Sequence, residues 1–205
     1  CLVGSEMCIR DSRIGVATYS VGVAYNNRKT SLQFIQQEMN NITALSNETC
    51  QLGIQSRNMV LYIAKKDSPQ PIRLMSSVGK QLPLYCTGLG RALLAYKSEE
   101  EIRSLFPEVL TAYTPHTIAT INDLLKELEL TRQRGYAVEH EETNLMVNCI
   151  AVSLDYNNAP IAALSISIPT FRISESKEKE AVQILWEAKQ RIETHFKMYG
   201  VDFGN

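Results

Sequence analysis

The sequence predicts an α/β domain of the α+β kind, a mostly antiparallel sheet flanked by helices. Two observations carry the prediction. Segments of β composition come in neighbouring pairs joined by short turns, at 51–55 with 59–64 and at 147–154 with 160–168, which is the pattern of hairpins. Three further stretches carry apolar residues at three- and four-residue spacing, the period of a helix with one buried face. At 205 residues with 44% apolar side chains, the chain has the length and composition for one domain with a sizeable core.

Taken in order, Leu32, Ile35, Met39 and Ile42 form the first stripe, which Ser46 and Asn47 bring to an end. Two strands follow at 51–55 and 59–64, turned at Ser56-Arg57-Asn58. A strand at 72–76, its start bracketed by Pro69 and Pro71, is expected to extend the sheet. Helices are predicted over 88–96 and 98–106. Thr120 and Asp123 have the spacing of a capping box ahead of Ile121, Leu124, Leu125 and Leu128, and Gly135 stands where a left-handed C-cap closes that helix. Strands at 136–139, 147–154 and 160–168 come next, the last two joined through Asn157-Asn158. Ala181, Ile184, Leu185, Ala188, Ile192 and Phe196 mark a final amphipathic helix. No internal repeat or long Gly/Ser linker points to a second domain.

Composition excludes several functions. Lys and Arg total 21 against 22 Asp and Glu, a net charge of −1, so the chain lacks the cationic excess that gripping DNA requires. No apolar run reaches the ~20 residues of a membrane span, and a cytoplasmic protein without membrane contact is expected. The five cysteines, Cys1, Cys8, Cys50, Cys86 and Cys149, include no close pair of redox or zinc spacing; reduced thiols are expected, and no metal or cofactor.

The most informative stretch runs from Leu82 through Pro83, Leu84, Tyr85, Cys86, Thr87, Gly88, Leu89, Gly90 and Arg91 to Ala92. Thr87 has the position of an N-cap hydroxyl, and two glycines at the first turn leave backbone N–H groups uncovered at the positive end of the helix dipole, a seat for a small anion. An ordinary loop-to-helix turn with a glycine for packing fits the same residues. Ser165 and Ser167 lie on one face of their strand, with Leu164, Ile166 and Ile168 on the other; the hydroxyls bond either a ligand or solvent and neighbouring backbone. Cys149 shares a face with Val147 and Ala151. It reads as a buried small hydrophobe, since a nucleophile needs a base and none of His116, His140 or His195 forms a recognisable motif with it. The run from Glu139 through His140 to Glu142 suggests a metal site or an acid–base pair, or more simply a solvated acidic strand end.

Beyond these local signals, motifs recur in order from Tyr19 to Tyr199. They are Arg73-Leu74 with Val78-Gly79, Leu82-Pro83-Leu84 through Gly90-Arg91-Ala92, Arg134-Gly135-Tyr136-Ala137 with Glu141-Glu142, Cys149-Ile150-Ala151, and Ala163 through Ser167. In this order and spacing the chain resembles the effector-binding half of IclR-type bacterial transcription regulators. The resemblance implies a GAF-like fold and a non-enzymatic role: sensing a small organic or sugar acid, as a homodimer or tetramer, with DNA contacted only by an N-terminal winged helix. It implies ligand contacts from Thr87, Gly88, Leu89, Glu139, Cys149, Ser165 and Ser167. Residues 1–12 resemble a translated sequencing adapter and are expected to be a non-native leader, 13–30 the end of the winged helix (Tyr19-Ser20-Val21-Gly22) and a linker, 31–200 the effector domain, and 201–205 a tail.

Three departures stand out. Met146 takes the place of a usual glycine, Ser153 that of a common proline, and the turn from Tyr156 to Pro160 is about one residue short. Around Ile168-Pro169-Thr170-Phe171-Arg172 the chain most resembles members answering to sugar acids such as 2-keto-3-deoxygluconate. Two other readings remain, a small-molecule hydrolase using Cys149 or the Glu139-His140 pair, and a dimerisation module without a ligand.

Overall fold

The structure, a computed structural model, describes residues 31–72 and 77–203. Its elements are α1 (Ser31–Ser46), β1 (Thr49–Ser56), β2 (Met59–Lys66), β3 (Gln81–Pro83), a single 3₁₀ turn at Leu84–Cys86, α2 (Gly88–Leu94), α3 (Glu99–Leu105), α4 (Ile121–Arg134), β4 (Ala137–His140), β5 (Val147–Tyr156), β6 (Ala159–Pro169) and α5 (Glu175–Tyr199). The strands form one antiparallel sheet in the order β3-β2-β1-β6-β5-β4.

Each face of the sheet carries its own core. Leu32, Ile35, Met39 and Ile42 of α1 and the Ala181-to-Phe196 stripe of α5 pack on Leu52, Ile150, Val152, Leu164, Ile166 and Ile168. Burying such side chains contributes about 1.5–3 kcal/mol each, and the helical periodicity in the sequence is the imprint of that face. On the opposite face α2, α3 and α4 bury Leu89, Leu93, Ile102, Ile121, Leu124 and Leu128 against Val60, Ala137, Ala151 and Ala163.

Local chemistry sets the helix ends. Thr87 Oγ1 accepts from the Gly90 N–H at 3.1 Å and starts α2; Ser98 and Glu101 complete a capping box on α3. Thr120 caps α4 by accepting the Asp123 N–H at 3.2 Å, while the Asp123 carboxylate accepts from the Thr120 hydroxyl at 2.7 Å and not from backbone, so the expected box is only half made. Gly135, at φ 77°, closes α4 in the left-handed region.

Two expectations need correction. The sheet is extended by β3, which overlaps the start of the stretch that begins at Leu82; Ile72 sits in a bend, and residues 73–76 of the expected strand lie outside those described. The helix expected over 88–96 stops at Leu94, which leaves Tyr96 half-exposed beyond it. Residues 1–12, expected to be a leader, and 13–30, expected to be the winged-helix end and linker, lie outside the described residues.

Candidate functional site

Strand register assembles the site. Gln51 on β1 stands opposite Ser165 on β6, which stands opposite Ala151 on β5. One row along, Thr49, Ser167, Cys149 and Glu139 face one another across β1, β6, β5 and β4. Side chains two apart share a face, so both rows look toward α2. Four strands thus lay a polar strip into an otherwise apolar layer.

Between the strip and the start of α2 lies a cavity of about 20 Å³, room for roughly one water. Six of the seven residues singled out by sequence line it: Thr87, Gly88, Leu89, Glu139, Cys149 and Ser165. The seventh, Ser167, does not. Its hydroxyl donates to Gln51 Oε1 at 2.9 Å and lies 3.1 Å from Cys149 Sγ, which makes it a brace behind the wall. Ser165 Oγ is the opposite case, a buried hydroxyl with no hydrogen-bond partner among the described residues. A polar atom left in that state costs about 1–3 kcal/mol, and such groups are few in folded proteins.

Of the two readings the sequence left open for the glycines, close packing is the one the contacts show. A Cβ at Gly88 would press on Cys149 Cβ at 3.3 Å and Ala151 Cβ at 3.4 Å, and a Cβ at Gly90 would overlap the Leu84 backbone. Their first task is close approach of α2 to β5 and to the preceding turn, with exposure of N–H groups as a consequence. Thr87 Oγ1 takes the Gly90 N–H and the Thr87 carbonyl takes that of Arg91, so Gly88 and Leu89 hold the first-turn donors without a partner in their own helix.

Glu139, 1% exposed, is not a solvated strand end. One carboxylate oxygen accepts the backbone N–H of Glu142, and that of Thr143 at 3.3 Å, capping the turn after β4. Burial pushes its pKa up to about 7, with the Glu142 charge adding to the effect and the backbone donor opposing it. Glu142 is paired with Arg91, whose Nε and Nη1 donate to Tyr85 O at 3.0 Å and Val138 O at 2.9 Å. Arg91, 2% exposed, is committed to holding α2, β4 and the turn together.

Nucleophilic chemistry has no support in this geometry. Cys149 lines the cavity and is partly buried; burial, reinforced by Glu139, raises its thiol well above the ordinary value, so the thiolate is disfavoured. His140 lies next to Glu139 on the strand and points to the other side, where Nδ1 is 2.9 Å from Asn148 Oδ1. Among the lining residues the sequence did not mark are Gln51, Tyr62, Lys80 and Asn144, brought in by cross-strand register and by two loops that leave no periodic trace.

Comparison with known proteins agrees with the architecture. Residues 24–194 match the family described as Bacterial transcriptional regulator IclR C-terminal. The HTH-type transcriptional regulator KdgR of Dickeya chrysanthemi is 38% identical over 157 residues, 76% of this chain and 52% of that protein. The HTH-type transcriptional repressor AllR of Escherichia coli K12 is 32% identical over 183 residues, 88% of this chain and 68% of that one. The chain thus spans about half the length of the first relative and two thirds of the second. Among solved structures, the Thermotoga maritima IclR superposes with a TM-score of 0.81 at 29% identity, covering 94% of this chain and 79% of that one. These relatives are transcription regulators, not enzymes, and the chain belongs to the IclR family through its C-terminal, effector-binding domain.

Proposed function

We propose that the domain senses a small organic or sugar acid at the cavity between α2 and the polar strip, and that the bound form changes a homodimer or tetramer so that the N-terminal winged helices alter their hold on DNA. The carboxylate meets the N–H groups of Gly88 and Leu89 and the hydroxyl of Ser165. Glu139 takes ligand hydroxyls, Cys149 forms the wall, and Ser167 keeps Gln51 in place. The observation that carries this reading is the buried, unpartnered Ser165 Oγ in the cavity wall. At about 20 Å³ the cavity must widen to admit an acid, so binding selects a more open form. β1 supplies a route outward, since it follows α1 directly and carries Gln51 to the cavity.

A thermal-shift screen of organic and sugar acids, 2-keto-3-deoxygluconate among them, tests the proposal. Ligand at ~100 times its Kd adds roughly 2.7 kcal/mol to stability. The hit should weaken in Ser165→Ala by about 1.5–3 kcal/mol, a lost hydrogen bond to a charged group. No stabilising acid, or one bound equally by Ser165→Ala, contradicts the assignment. Turnover of the acid would instead favour a hydrolase.

A further inference from the structure

We propose that Lys80 is the counter-ion for the effector's carboxylate and sets the direction in which the ligand lies. The inference rests on the effector-site reading above and deepens it. Only two lining residues are exposed, Lys80 and Asn144, whereas Ser165, Gln51, Glu139 and Gly88 are buried. The mouth is therefore between Lys80 and Asn144, and an entering acid passes the ammonium.

Among the described residues, Lys80 is also the only cation in the lining. The nearby guanidinium of Arg91 is consumed by Tyr85, Val138 and Glu142. Lys80, like Lys66 and Lys197, has no ion pair among the described residues, whereas Lys65, Lys97, Lys126, Lys177, Lys179 and Lys189 each have a carboxylate partner. Its backbone is tied down: the Lys80 carbonyl accepts the Tyr62 N–H at 3.0 Å, and the Gly79 N–H donates to Tyr62 O at 2.8 Å. A fixed base under a flexible four-carbon stem lets the charge reach inward while the backbone holds its place.

Charge then orients the ligand. Lys80, Leu82, Thr87, Gly88 and Leu89 come from the β3–α2 side of the cavity, and Glu139, Thr143 and Asn144 from the β4–β5 side. A carboxylate is drawn to the first side, where the ammonium and the helix N–H groups lie, and hydroxyl or carbonyl groups are left for Glu139. The ligand class is a monocarboxylate with oxygens at its far end; a second carboxylate would meet Glu139.

Calorimetric titration of 2-keto-3-deoxygluconate, pyruvate and glyoxylate into the parent chain, Lys80→Met and Lys80→Arg tests this. For whichever acid binds, Lys80→Met should lower affinity about two- to fivefold, as expected for an exposed charge, and should flatten its dependence on salt. Lys80→Arg should restore both, and all three chains should melt alike. Equal affinity and equal salt dependence in Lys80→Met overturn the role of Lys80 while leaving the effector site standing. Failure of every acid to bind the parent overturns both.

Discussion

At position 90 no side chain is tolerated, because a Cβ would overlap the Leu84 backbone, which is itself held in the 3₁₀ turn. Gly90→Ala should destabilise the domain by roughly 3 kcal/mol, the upper end of the usual range for overpacking that backbone movement must relieve, seen as a lower midpoint in urea. Gly88→Ala should cost far less, since its Cβ meets only two Cβ atoms that can yield by a few tenths of an ångström. Glu139 offers a second test. Its carboxyl, ordinarily near 4.5, is pushed up to about 7 in the fold, so the folded state holds a proton that the unfolded chain releases. Stability from that proton is complete below pH 4.5 and declines as pH rises toward 7. Glu139→Gln keeps an acceptor for the Glu142 and Thr143 N–H groups and cannot ionise. Its stability relative to the parent should rise by roughly 3 kcal/mol between those two pH values in paired denaturation curves, and a constant difference would contradict the buried, titrating carboxyl.

Element by element, what was legible in the sequence was what repeats. The stripes of α1, α4 and α5 and the β5–β6 hairpin follow from periodicity and turn chemistry, and Asn157 and Asn158, at φ 51° and 61°, form the two-residue turn that explains the short connection after Tyr156. β3 was not legible, because three residues containing a proline carry no alternation and the sheet, not the segment, makes them a strand. Nor was the site's assembly: Ser165 and Ser167 share a face, but only register puts one beside the cavity and the other behind it. The same holds for Gln51, Lys80 and Asn144. Met146 was marked as a departure from glycine, and its φ of 67° supplies the reason, a left-handed position just before β5. Met146 is 56% exposed, so Met146→Gly removes little packing. It should raise the thermal midpoint by an amount equivalent to about 0.5–1 kcal/mol, the relief of left-handed strain less the added entropy of the unfolded chain.

As a whole, the molecule builds two separate cores on the two faces of one sheet. α1 and α5 cover one face, α1 packing on β1, β2 and α5, and α2 with the cavity lies on the other, so in the proposed reading a ligand's effect reaches α1 through the sheet. With a net charge of −1, the chain should give no operator-selective shift on gels at physiological salt, and tight selective binding would mean that DNA contacts lie within it. No helix among the described residues is long and apolar enough to cross a membrane.

The central claim is a place: the effector sits between the start of α2 and the strip of Ser165, Cys149 and Glu139. A crystal structure of the chain soaked with the best acid from the thermal screen tests it most directly. The account predicts the carboxylate within hydrogen-bond distance of Ser165 Oγ and the Gly88 or Leu89 N–H, in a cavity wider than the present 20 Å³. An acid found instead in the larger cavity beside Tyr96 and Ser153, or in the groove of Phe34, His195 and Tyr199, with the Ser165 site unchanged, would contradict it.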